Sequence, residues 1–375
     1  MTILIVGKRG ISMKIGIITK IGKNYGAVLQ AYALKKKFSD MGADAHIIRY
    51  TPSNSLKTYK ICKHSWGPKG TIANAKAAIH FSEYKRANQR FFEFRDTEYD
   101  FLGDYCNDNT LESNPPACDI YVTGSDQVWN PLLSFDRAYY CMFADSYPNA
   151  KTAAYAASIG LKEIPNEFSA EFASRIKKMN YVSVRENHAI EILADMGITA
   201  ESAPDPTLLL RRDEWQSLAV KMEAAPYILC YFVSFPKGIQ NVVEKFKKQL
   251  GLKVVNLMTS EESSMIGDVK IRDAGPREFL GLFENASFVI TSSFHGSVFS
   301  LINHKPFVVT LYKNTSNRVT ELLDSFECSD RIITSNCLDI TPYLNINADM
   351  DKWNSVLDAT RERGEKIIKT IMEAC

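Results

Sequence analysis

The stretch MKIGIITKIGKNYGAVLQAYALKKKFSDMGADAHIIR, residues 13–49, decides the fold class. It opens with the apolar, β-branched run Ile15–Thr19 and closes with a second one, Ala45–Arg49. Between them, Gly26–Met41 carries Val28, Leu29, Tyr32, Leu34 and Phe38 at helical spacing, and Gly42 stands where a helix stops. Two strands joined by a helix of this length predict a βαβ unit with parallel strands. Outward from it the alternation continues, with strands expected at Ile120–Thr123 and Thr152–Ala156. A second series is expected from Tyr181–Val184 through Tyr227–Val233, Lys253–Asn256, Phe288–Thr291 and Phe307–Thr310. Helices fit Asn187–Met196, Gly238–Leu250, Pro276–Glu284 and Gly296–Asn303.

Two such series predict an α/β chain of two Rossmann-like parallel-sheet domains facing a cleft. The N-terminal domain is expected over 13–162, with an inserted, basic and aromatic segment over about 51–110 that holds a helix at Ala73–Phe94. The C-terminal domain is expected over 180–345, after a connecting helix at Ile164–Lys178. A last helix over 350–375, marked by Trp353, Leu357, Ile367, Ile368 and Ile371, is expected to pack back across the junction. Residues 1–12 precede Met13, which reads as a start of its own, so they are a tail or part of the fold with equal weight.

Composition sets the class of partner. At 375 residues the chain exceeds what one compact core usually holds. Its 45 basic and 43 acidic residues leave a net charge of +2 with no long block of one sign, which excludes an electrostatic footprint for nucleic acid. Eight scattered cysteines without a C-x-x-C pair read as reduced, cytoplasmic thiols. No apolar run reaches the ~20 residues of a membrane helix, and no leader with a cleavage site opens the chain. The expectation is a cytoplasmic protein with at most peripheral membrane contact. Cys62 and His64 lack a second ligand pair, so no metal site is expected.

Ligands of open α/β sheets sit beyond the carboxyl ends of strands, at helix N-termini. Three loops qualify. In Ser292-Ser293-Phe294-His295-Gly296 the serines suit a helix cap, Gly296 admits a close ligand, and His295 can hold an anion and deliver a proton near neutral pH. A capped turn with a satisfied polar histidine explains the same residues. Arg185 ends a strand and faces the positive end of the next helix dipole, which costs a few tenths of a kcal/mol (~0.3 or more) unless an anion lies between them; a local pair with Glu186 is the alternative. Thr123-Gly124-Ser125-Asp126-Gln127-Val128-Trp129-Asn130 offers hydrogen-bonding groups and an aromatic face suited to a sugar, or a capped turn with a core tryptophan. Asn24-Tyr25-Gly26, Ser158-Ile159-Gly160, Asp205-Pro206-Thr207 and Arg318 complete the candidates. Neither a P-loop, a dinucleotide G-x-G-x-x-G nor a G-x-S-x-G elbow is present.

Taken in order, Asn24–Leu34, Thr123–Asn130, Tyr155–Gly160, Ser183–Glu186, Asp205–Thr207 and Ile290–Gly296 resemble the polysaccharide pyruvyl transferase family, over residues 14 to 320. The resemblance implies a two-domain, GT-B-like fold and transfer of the carboxyethylidene unit of phosphoenolpyruvate to two hydroxyls of a saccharide, often a galactose 4,6-ketal, in surface polysaccharide biosynthesis. It implies phosphoenolpyruvate as co-substrate, no required cofactor, and an acceptor that is lipid-linked in some settings, which would place the enzyme at the inner membrane face. Arg185 falls on the family's donor-binding arginine and Ser293-Phe294-His295 on its Arg-Leu-His type triplet, with serine where many members carry arginine. Either Arg318 or a lysine such as Lys313 then compensates, or phosphoenolpyruvate is held more weakly, or the donor differs. On this reading His295 protonates the donor and Asp126 is the base. Arg185, Ser292, Ser293, Phe294, Gly296 and Arg318 bind the donor, and Asn24, Tyr25, Gln127, Trp129 and Ser158 bind the acceptor. A sugar-nucleotide-dependent glycosyltransferase and an inactive saccharide-binding relative are the alternatives.

Overall fold

The computed structural model describes residues 12–52, 59–60, 78–221, 226–311, 316–344, 346 and 349–374. The expected tail, the basic residues Lys57, Lys63 and Lys69 and the aromatic Trp66 of the insertion, and Lys313 lie outside them.

The described residues fall into two compact units. The first gathers Met1–Tyr59, Arg95–Leu210 and Ala359–Cys375. Its strands are β1 (Lys14–Ile18), β2 (Asp44–Tyr50), β3 (Phe101–Tyr105), β4 (Ile120–Thr123), β5 (Lys151–Ala157), β6 (Tyr181–Val184) and β7 (Glu201–Ser202). They form one sheet in the order β3-β2-β1-β4-β5-β6-β7, and every pairing is parallel. The helix Tyr25–Asp40 joins β1 to β2 as the quoted stretch requires.

The second unit gathers Lys60–Phe94 and Arg211–Asp358. Its strands β8 (Tyr227–Tyr231), β9 (Lys253–Leu257), β10 (Val269–Ile271), β11 (Phe288–Thr291), β12 (Phe307–Thr310) and β13 (Ile332–Ile333) are ordered β10-β9-β8-β11-β12-β13, again all parallel. β11 and β12 are buried at every position, as strands covered on both faces are.

The expected domain boundary is corrected. Tyr181–Val184 does not open the second sheet; it pairs with β5, Ala153 opposite Tyr181 and Ala154 opposite Val182. The Ser183 hydroxyl donates to the Ala154 carbonyl at 2.9 Å and accepts from the Ala156 amide at 3.2 Å, bridging the register shift before Ala157. The helix Asn166–Ile176 is therefore a crossover of the first unit, with Phe172 and Ile176 in its core, rather than a connector between units. Strand–helix alternation reads the same within one sheet as between two, so spacing alone could not place the break. The insertion also divides differently from the expectation. Its helix spans Phe81–Glu98, and the residues up to Phe94 belong to the second unit, where Arg90 binds the Asp273 carbonyl at 2.6 Å and Glu278 at 3.2 Å.

The helix Met350–Ala374 forms as expected. Trp353 packs with Phe307 in the second unit, while residues from Ala359 onward belong to the first. There Gly364 lies so close to Leu209 and the Tyr155 hydroxyl that a Cβ would stand 2.2 Å and 3.0 Å from them. No helix of the described residues is long and apolar enough to cross a membrane.

Candidate active site

In each sheet the chain runs outward to one side from its first strand and then returns to the other. The reversal lies between β1 and β4 in the first unit and between β8 and β11 in the second. The crevice at such a switch point is where doubly wound sheets take ligands. The loops after β4 and β11 are two of the three singled out in the sequence.

In the first unit the loop after β4 is held by buried polar side chains. Gln30 donates to Thr19 Oγ1 at 3.0 Å and accepts from the Ser125 amide at 3.0 Å; Thr19 donates to the Ser125 carbonyl at 3.0 Å, and Ser125 Oγ to the Ala156 carbonyl at 2.7 Å. Each partner is buried, where an unmade hydrogen bond costs about 1–3 kcal/mol, so these bonds favour this conformation of the loop over ones that break them. Gly124 has φ +113° and Asp126 φ +63°, and the Gly124–Ser125 peptide is cis. A Cβ on Gly124 would meet the Tyr155 carbonyl oxygen at 2.2 Å. Gly124→Ala is therefore expected to lower stability by about 2 kcal/mol or more, since the left-handed conformation alone costs an L-residue about 1–2 kcal/mol. Urea unfolding checks this; a change below about 0.5 kcal/mol would show that the backbone relaxes.

The main chain of Asp126 accepts from the amides of Val128 (2.8 Å) and Ser158 (3.0 Å), and the Trp129 amide donates to the Ser158 carbonyl at 3.2 Å. Asp126, Gln127, Trp129 and Ser158 are thus brought together. Two of them are not acceptor contacts. Trp129 is 0% exposed, stacked on Tyr140 at 6.2 Å, with its indole N–H donating to the Tyr139 carbonyl at 3.1 Å. The sequence reading of a sugar-stacking face is corrected: Tyr140 is stacked on the indole, Phe172 meets it at 80°, and none of its surface is exposed. Ser158 is buried and its hydroxyl donates to Glu186. Asn24 is the N-cap of the helix Tyr25–Asp40, its side chain accepting from the Ala27 amide at 3.1 Å, and Tyr25 is buried in the first turn. Gln127 remains half-buried, its amide lying where a Cβ on Gly160 would be.

Arg185 belongs to this first unit because β6 does. Its guanidinium binds Asp205 at 2.7 Å and lies 3.8 Å from Glu186, and all three side chains are at most 3% exposed. Asp205 in turn accepts from the Thr207 amide and hydroxyl at 3.0 and 2.6 Å. Burial alone would lower the arginine's pKa, but Asp205, Glu186 and Asp126 outweigh it and raise the pKa, keeping the group charged. The expectation that a bound anion relieves this cation is corrected in its physical ground: two buried carboxylates already do so. The local pair with Glu186, the alternative read from the sequence, is present, and Asp205 joins it from a separate turn that the sequence did not connect to Arg185.

In the second unit Ser293 caps the helix Phe294–Ile302, accepting from the Gly296 amide at 3.3 Å. Its own amide donates to Thr291 Oγ1 at 3.0 Å, and Thr291 donates to the Tyr231 carbonyl at 2.6 Å. Ser292 joins the loop after β8, donating to the Ser234 carbonyl at 2.7 Å and accepting from its amide at 3.3 Å. Tyr231, its pKa raised by burial, hydrogen-bonds Ser293. A Cβ on Gly296 would stand 2.2 Å from Thr291 Oγ1, so only glycine lets the helix start this close to β11. These contacts set His295, 9% exposed, in the first turn, at the positive end of the helix beside the switch point. Phe294 is buried with its ring edge-on to the imidazole at 5.1 Å, and Arg318 is half-buried on the helix Ser316–Ser325. The arrangement offers backbone amides for an anion and an imidazole for proton transfer.

Solved structures show where this fold recurs. The UDP-GlcNAc 2-epimerase of Neisseria meningitidis, bound to UDP-GlcNAc, superposes with a TM-score of 0.54 at 10% identity, covering 97% of this chain and 99% of that one. The Methanocaldococcus jannaschii UDP-GlcNAc 2-epimerase does so at 0.50 and 14%, covering 97% and 100%. A glycotransferase of kitacinnamycin gives 0.50 and 10%, covering 97% and 99%. At these identities the likeness is of the fold, two parallel-sheet α/β domains of GT-B type. A search of curated protein sequences gave no match. The family model for polysaccharide pyruvyl transferase matches residues 24–314, from the cap of the first helix past both switch-point loops. The chain belongs to the polysaccharide pyruvyl transferase family.

Proposed function

We propose that this transferase moves the carboxyethylidene unit of phosphoenolpyruvate onto two hydroxyls of a saccharide, a galactose-type residue closed as a 4,6-ketal, with the donor taken by the second unit. The observation that carries the reading is His295, nearly buried in the first turn of a helix at the switch point of that unit. Phosphate and carboxylate are the anions a helix N-terminus favours. The imidazolium protonates the methylene carbon, C2 becomes oxocarbenium-like, one hydroxyl adds and phosphate leaves as the second closes the ketal. Of the two hydroxyl protons, one is returned to the imidazole spent on the methyl group and the other departs with phosphate. Asp126, the base on the acceptor side, takes the first hydroxyl proton and passes it on to the departing phosphate, which regenerates its carboxylate.

The electrostatics of the first unit support this division. Asp205, Glu186 and Asp126 face Arg185, and Asp126 and Asp136 face Lys20, so neither cation stands ready for a phosphate ester and the loop suits an uncharged sugar. A lipid-linked acceptor would bring the enzyme to the inner membrane face. Thermal shift tests the donor: phosphoenolpyruvate at 100 times its dissociation constant should add about 2.7 kcal/mol of stability. A shift with UDP-GlcNAc and none with phosphoenolpyruvate would replace this reading with glycosyl transfer.

A further inference from the structure

Lys20 follows β1 at the switch point of the first unit, and no motif of the sequence singled it out. Its chain neighbour Thr19 is tied to Ser125, so Lys20 is fixed against the loop after β4. Its ammonium lies 5.8 Å from the centre of the Tyr139 ring. That ring is itself placed by two bonds to its carbonyl, from Thr123 Oγ1 at 2.8 Å and from the Trp129 indole. Trp129 therefore contributes to this crevice by positioning Tyr139 rather than by touching a sugar. Burial lowers the Lys20 pKa, and the carboxylates of Asp126 and Asp136 oppose that shift.

Lys20 feels the charge of both carboxylates without pairing with either. Among the described residues neither the Lys20 ammonium nor the carboxylate of Asp126 or Asp136 takes part in a hydrogen bond or ion pair. Asp136 stands at the N-cap of the short helix Arg137–Tyr140 without its side chain capping it. The Asp126 carbonyl accepts from two main-chain amides, and the carboxylate takes no part in holding the loop. All three are half-buried. Groups held near one another without touching leave room for a molecule that donates to the carboxylates and accepts from the ammonium. A hydroxyl does both, and a row of hydroxyls on a ring does so at several points.

We infer that Lys20, Asp126 and Asp136 form the hydroxyl grip of the acceptor saccharide, with Lys20 and Asp136 as binding residues beside the base Asp126. The inference rests on the proposed function and names where its acceptor is held. Saturation-transfer NMR with a mixture of methyl galactoside, glucoside and mannoside tests it on the full chain. The parent protein should transfer saturation to at least one of the three. Lys20→Met and Asp136→Asn should each weaken that binding about tenfold or more, the size expected for a hydrogen bond to a charged group, with melting temperatures close to the parent's. The phosphoenolpyruvate-induced thermal shift should persist in both. Saturation transfer to none of the three glycosides, or equal transfer in parent and variants, overturns the grip. Loss of the phosphoenolpyruvate shift in the parent overturns the proposed function instead. A fall in glycoside binding matched by a fall in melting temperature, and restored by Lys20→Arg only in stability, would assign Lys20 a structural role and also overturn the inference.

Discussion

Arg185→Met is expected to destabilise the protein by about 3–5 kcal/mol, the cost of removing one partner from a buried ion pair. The reason lies in what stays behind. Asp205 and Glu186 are almost fully buried, and without the guanidinium their charges face each other in a low-dielectric interior. Asp205 keeps its two bonds from Thr207, which stabilise the ionised carboxylate and so make neutralisation harder. The double variant Arg185→Met, Asp205→Asn should regain part of the loss, because the second change removes one stranded charge. From the sequence alone, Arg185 beside a helix dipole costs a few tenths of a kcal/mol (~0.3) unless an anion lies between them. The buried pairs reverse that sign. Urea unfolding of parent, single and double variants measures it, and a loss below about 1 kcal/mol for the single variant would show that water reaches the cluster.

His295→Gln is expected to reduce the turnover of phosphate release by about 10²-fold or more, the contribution of a positioned general acid. Glutamine keeps a side chain that can hydrogen-bond, and the cap from Ser293 to the Gly296 amide does not involve the imidazole. The donor-induced thermal shift should therefore survive while chemistry slows. The opposite pattern, melting lowered by about 1–3 kcal/mol with the turnover of the folded fraction intact, would mean that the histidine only completes a buried hydrogen-bond network. Measuring both on one preparation separates the outcomes.

How much of this was legible beforehand differs by element. β4, β6, β11 and β12 have the bounds read from the sequence, because short β-branched runs between turn residues leave little choice. β3, β7, β10 and β13 escaped notice. They are short or partly exposed edge strands whose pairing is decided by a neighbour remote in sequence. The loops after β4 and β11 were legible as ligand loops from the strand-to-helix rule, and the sheet order adds that each lies at a switch point. The sheet to which β6 belongs was not legible, and with it went the residence of Arg185. Trp129 shows a second limit. A tryptophan beside polar residues has one spelling whether it faces a sugar or a core, and only the ring of Tyr140 against it decides. Lys20 shows a third, since a single lysine after a strand carries no pattern until Asp126 and Asp136 are brought near it by chain separated from it by more than a hundred residues.

The central claim is pyruvyl transfer from phosphoenolpyruvate, and the most direct measurement is the mass of the product. The full chain is incubated with phosphoenolpyruvate and a mixture of methyl galactoside, lactose and methyl glucoside, with phosphate release followed in parallel. The account predicts a glycoside heavier by one pyruvate less one water, formed with one phosphate per molecule and absent when the 4- and 6-hydroxyls are blocked as methyl ethers. Phosphate released without any such product, or a glycoside that gains a hexose when UDP-sugars replace phosphoenolpyruvate, would contradict it.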